Sequence, residues 1–97
     1  MDPRRFSDLI TFSRVAETRS FTAAAQSLAV TQSAVSQTVK RLEADLGIRL
    51  LSRSTRSLTP TAAGEQLLAT LAPNVAELDA KLADLERLRE EPGGQLR

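Results

Sequence analysis

The stretch from Ser20 to Gly47, SFTAAAQSLAVTQSAVSQTVKRLEADLG, constrains the fold more than any other part of the chain. Two apolar periodic runs lie so close together that they read as two helices meeting at a sharp turn. Ser20 is positioned to cap a short helix whose inner side is Phe21, Ala24, Ala25 and Leu28. The small side chains at 24 and 25 let another helix approach closely. Ala29-Val30-Thr31 leaves room only for a tight turn, and the Thr31 hydroxyl can cap a third helix over about 32–46. At 100° per residue, Val39, Leu42 and Leu46 fall within about 40° of Val35, whereas Ser33, Ser36, Gln37 and Lys40 occupy an arc roughly 135° away. Gly47 suits a left-handed C-cap.

A short helix, a three- or four-residue turn and a helix with one apolar and one short polar face make the helix-turn-helix arrangement, whose second helix enters the DNA major groove. Glutamine can pair with the N6 and N7 edge of adenine, and serine can donate to or accept from any base. The plainer alternative is that these residues form the solvated face of a helical bundle.

The flanking segments favour the first reading. Asp2 and Pro3 open a helix over roughly 3–18, with Leu9, Phe12, Val15 and Ala16 inward. In IRLLSRSTRSLTP, residues 48–60, Ile48 and Leu50 alternate before a polar tip and Leu58, as in a small two-stranded hairpin. Arg53 and Arg56 lie three apart in that tip, and at least one guanidinium could reach a narrow, electronegative minor groove. A two-arginine loop alone is ordinary surface; behind such a helix it makes a wing. The fold expected is mainly α, a winged helix-turn-helix of three helices and a hairpin, followed by a long linker helix.

Composition removes the competing chemistries. The 97 residues include no cysteine and no histidine, so thiol nucleophiles, imidazole bases, disulfides and the usual zinc ligands are excluded. No cluster of carboxylates suggests a tuned acid or base, so no enzyme and no cofactor or metal is expected. The charged opening residues are no signal peptide and no run approaches a membrane span, so a soluble, cytoplasmic protein without a membrane partner is expected. The formal charge of +1 hides an asymmetry: residues 1–64 carry nine Arg/Lys against five Asp/Glu, and residues 65–97 four against seven. A basic body followed by an acidic segment suits binding to phosphates at one end only. A winged helix serving purely as a protein-interaction module remains the alternative.

The chain also resembles the N-terminal part of LysR-type transcriptional regulators. The resemblance rests on Leu9-x-x-Phe12-x-x-Val15-Ala16, Ser20-Phe21-Thr22-x-Ala24-Ala25-x-x-Leu28, Val30-Thr31-Gln32-Ser33-Ala34-Val35-Ser36, Leu42-Glu43-x-x-Leu46-Gly47, Leu50-Leu51-x-Arg53 and Leu58-Thr59-Pro60-Thr61-x-Ala63-Gly64. It implies that Gln32, Ser33, Ser36 and Gln37 contact bases and that Arg56 enters the minor groove. Thr22, Thr31, Thr38, Lys40 and Arg53 are the candidates for backbone phosphates, which set register without reading sequence. Ser33 stands where many members have proline, Gln37 where many have arginine, and Leu51 where phenylalanine is frequent. The final residues, Glu91 to Arg97, resemble the hinge and first strand of the family's effector-binding domain, through which a small-molecule effector would act. The expected division is therefore a DNA-binding domain over 1–61, a linker helix over 62–91 and a hinge over 92–97.

A single recognition helix reads only a few base pairs, so specificity calls for two copies on an interrupted palindrome, half-sites about 34 Å apart or a multiple of that. Leu71, Val75, Leu78, Leu82 and Leu85 recur at steps of four and three, the seam of a pairing helix. A homodimer through this helix is expected, antiparallel by the resemblance, with acidic residues at 77, 79, 84, 86, 90 and 91 held clear of DNA. Pro73 should kink or break the helix near 69–73.

Overall fold

Among the described residues the chain forms α1 Pro3–Thr18, α2 Phe21–Leu28, α3 Gln32–Leu46, β1 Leu51–Arg53, β2 Leu58–Pro60 and α4 Ala62–Glu90. The computed structural model describes residues 1–54 and 57–90, Glu90 by its backbone alone. The expected hinge over 92–97 lies outside these residues.

Capping chemistry explains the bounds. Asp2 Oδ1 accepts the Arg4 N–H at 3.0 Å, Ser20 Oγ accepts that of Ala23 at 3.0 Å, and Thr31 Oγ1 accepts that of Ala34 at 3.0 Å. Each such cap is worth about 1 kcal/mol. Gly47 closes α3 with φ 71°, in the left-handed region where glycine costs least. Ala29 adopts the same region at φ 58°, and the Val30 N–H returns to the Ala25 carbonyl at 3.0 Å. That returning bond turns the chain from α2 into α3 within three residues.

The core lies where α1, α2 and α3 meet under the wing. Phe12, Val15, Ala24, Val35, Val39, Leu42 and Leu51 are all at or below 1% exposure. Burying each large apolar side chain contributes about 1.5–3 kcal/mol. A bidentate pair joins α1 to α3, with Arg41 Nε and Nη2 donating to Asp8 at 3.2 and 2.6 Å. The wing is antiparallel, with Leu51 opposite Pro60 and Arg53 opposite Leu58.

Two apolar residues are more exposed than their periodicity suggested. Leu46 is 41% and Ile48 49% exposed, on the turn that closes α3 just before the chain re-enters the core at Leu50 and Leu51. Ile48 does not enter the strand; its N–H instead returns to the Glu43 carbonyl at 3.2 Å, and β1 starts three residues later.

The last helix departs from expectation in two ways. It begins at Ala62, but Ala63, Leu67, Leu68, Leu71 and Val75 pack on the body's core, so its first half completes that core. Leu71 is only 8% exposed and so is occupied within its own chain, whereas Val75 is half-buried, with one side on the core and the rest open to solvent. Of the kink or break expected at Pro73, the break does not occur: the helix is continuous there. The packed residues on either side of the proline hold the neighbouring turns in place, and Asn74 Nδ2 donates to the Thr70 carbonyl at 2.7 Å.

Candidate nucleic-acid interface

Helix α3 buries Val35, Val39 and Leu42 and turns the opposite side outward. Gln32, Ser33, Gln37 and Lys40 are exposed and Ser36 is half-buried at the edge of the same face. Val35 and Val39 anchor the helix backbone, so Ser33 and Ser36 present their hydroxyls close to fixed positions, while Gln32, Gln37 and Lys40 reach further on flexible stems. Thr22 Oγ1 lies 3.2 Å from Gln32 Oε1, tying the start of α2 to the start of α3. Thr31 is exposed with its hydroxyl occupied by the Ala34 N–H, so its structural role as a cap is explicit. Thr38 is half-buried on the other flank of α3, in a shallow groove with Ser7, Thr11, Leu28 and Val30.

The wing stands beside the N-terminal end of α3. Arg19, Phe21, Gln32, Arg53, Ser54 and Ser57 line a concave notch between helix and wing. The tip is cinched by serines, with the Ser54 N–H donating to the Ser57 carbonyl at 3.0 Å and the Ser57 N–H to Ser54 Oγ at 3.0 Å. Arg56, expected at the minor groove, lies outside the described residues.

Arg53 was expected to meet phosphate, but the structure commits it inward. Its Nη2 donates to Glu43 Oε1 at 3.3 Å, its guanidinium lies 5.7 Å from the Phe21 ring centroid, and its side chain is 26% exposed. Glu43, which sequence reasoning left without a role, is buried and accepts the backbone N–H groups of Leu50 and Leu51 at 2.8 and 3.1 Å through Oε2. Burial alone would push its carboxyl up, yet the two amide hydrogen bonds and the Arg53 charge outweigh that effect. The group therefore sits below the ordinary glutamate value. Nothing local in the sequence marked it, because its partners are seven to ten residues away across a change of element.

No helix among the described residues is long and apolar enough to cross a membrane. No group of three His, Cys, Asp or Glu among them could hold a metal ion.

Comparison with known proteins meets this geometry at several points. Residues 6–65 match the bacterial regulatory helix-turn-helix proteins of the lysR family. The chain is 48% identical over 97 residues to the HTH-type transcriptional regulator PgrR of Escherichia coli K12, covering all of this chain and 32% of that protein. It thus spans about a third of the length of such curated relatives. Among solved structures it is similar to a BenM_DBD/catB site 1 DNA complex, with TM-score 0.71 and 29% identity over 89% of this chain and 96% of that one. Full-length CbnR complexed with its target DNA is similar too, with TM-score 0.66 and 40% identity over 84% of this chain and 28% of that one. In sequence and in fold alike, the chain belongs to the lysR family of bacterial regulatory helix-turn-helix proteins.

Proposed function

We propose that the chain is a sequence-specific, double-stranded DNA-binding and dimerisation module of a transcription regulator. The observation that carries this reading is the two-sidedness of α3: Val35, Val39 and Leu42 are no more than 1% exposed, while Ser33, Gln37 and Lys40 face outward beside the wing. In this reading α3 lies in the major groove, where Gln32, Ser33, Ser36 and Gln37 meet base edges. The wing follows the adjacent backbone, with Arg56 at the minor groove, and Thr22, Thr31, Thr38 and Lys40 touch phosphates on either side. The DNA complexes of BenM and CbnR named above support it by likeness. No cofactor takes part in the DNA contact.

A second copy is the natural occupant of the exposed stripe on α4, where Leu78, Leu82 and Leu85 are 51, 58 and 45% exposed. Pairing through it places two recognition helices on the halves of an interrupted palindrome. In the whole regulator a small-molecule effector would act through a further domain.

Two substitutions test the roles. Gln37→Ala should relax preference at one base position by about 1–3 kcal/mol, while Lys40→Ala should weaken every duplex alike and lower the salt slope by about 1. Binding-site selection on randomised duplexes, followed by titration across salt, measures both. Equal losses on operator and random DNA for both variants would contradict the assignment. Binding without salt dependence would point instead to a protein partner.

A further inference from the structure

Arg53 looks in sequence like a free cation at the rim of the notch, but its surroundings give it other work. The Glu43 carboxylate is divided between two duties: Oε2 takes the backbone amides of Leu50 and Leu51, and Oε1 takes the Arg53 guanidinium. The first duty fixes where the chain enters β1, the second fixes a side chain on β1 itself. Arg53 Nε is buried, and the guanidinium lies against Phe21 in the first turn of α2. One carboxylate on α3, placed two turns from Ser36 on the same helix, thereby joins the recognition helix, the wing and α2. Rotation of the wing about its own base would break at least one of these bonds.

We propose that Glu43 and Arg53 together form a strut that sets the wing's angle to α3, making them positioning residues for reading the flank beside the major-groove site rather than ligands of phosphate. This deepens the DNA-binding reading and rests on it. A wing held at one angle fits one groove width, so the strut converts flank shape into binding preference without touching a base. The two arginine roles differ in what salt reveals. A phosphate ligand releases a counterion and its loss lowers the salt slope, whereas loss of a strut leaves that slope alone.

The test compares native protein, Glu43→Gln, Arg53→Gln and the double variant on duplexes that share one selected core and differ only in an A-tract or a G·C-rich flank. Glutamine at 43 retains a carbonyl for the two amides, so the wing's attachment survives while the ion pair is lost. Each single variant should lose about fivefold of the flank preference, with preference under α3 changed less than about twofold. The double variant should lose no more flank preference than Glu43→Gln alone, which already removes the Arg53 bond together with the looser Arg49 Nε contact at 3.9 Å. Salt slopes should stay at the native value. A slope lowered by about one in Arg53→Gln, with flank preference intact in Glu43→Gln, would make Arg53 a phosphate ligand and overturn the strut.

Amide exchange measured without DNA keeps the two readings separable. Glu43→Ala should speed exchange at Leu50 and Leu51, and native protection there would overturn the strut whatever the duplexes do. Native protein that binds no duplex, with exchange behaving as expected, would sink the DNA-binding reading and with it the strut's purpose.

Discussion

At the residue scale, Glu43 shows how a buried carboxylate can stay ionised. Its hydrogen bonds from Leu50, Leu51 and Arg53 lower its carboxyl against the upward push of burial. A group depressed in the folded state contributes stability that is complete above its unfolded value, about 4.3, and is lost as pH falls through the lower folded value. The gap in thermal midpoint between native protein and Glu43→Gln should therefore be widest near neutral pH and close as pH falls through the lowered folded value. Calorimetry across that range measures it; a gap independent of pH would mean the charge plays no part. Glu43→Ala, which leaves two buried N–H groups without their acceptor, should cost about 1–3 kcal/mol at neutral pH.

At the scale of elements, the joint between wing and α4 is made by Thr61, through both its backbone and its hydroxyl. The Thr61 N–H donates to the Leu50 carbonyl at 3.0 Å, the Thr61 hydroxyl donates to that of Arg49 at 2.7 Å, and the Gly64 N–H caps on Thr61 Oγ1 at 3.1 Å. A Cβ at Gly64 would collide with the Leu50 carbonyl oxygen. Alanine there would gain helix propensity of up to about 1 kcal/mol but meet an overpacking cost of about 1–3 kcal/mol, so Gly64→Ala should lower stability in denaturant titration. An unchanged midpoint would mean that α4 shifts freely on its seat. This joint also marks the limit of what the sequence disclosed. Caps at Asp2, Ser20, Thr31 and Gly47 are local signals, and they marked the starts of three helices and the end of the third; the left-handed Arg19 and Ala29 that close the other two carry no such signal. The outward face of α3 was equally legible, because its anchor residues recur on the same helix. The pairs Asp8 with Arg41 and Glu43 with Arg53 span elements, and no periodicity encodes them. The leucine repeat of α4 was visible, but a repeat cannot tell which members its own body covers; Leu71 is covered and Val75 partly so.

At the scale of the whole molecule, the chain extends 54 × 25 × 20 Å, a body with α4 projecting from it. Its exposed leucines, Leu78, Leu82, Leu85 and Leu88, are the surface on which two copies would meet. Leu78→Lys with Leu82→Lys should yield a monomer by sedimentation, with thermal unfolding of the body little changed. Operator affinity should fall about 100-fold or more as the second half-site ceases to be an intramolecular contact. A variant that remains dimeric would place the interface elsewhere. Because α4 continues through Pro73 as one helix, a grip on its distal end would act on the body through a single element, as a tiller acts on a rudder. The arm from Ala76 to Glu90 is about 22 Å long, so a tilt of about 10° sweeps its end by about 4 Å, roughly one base-pair step.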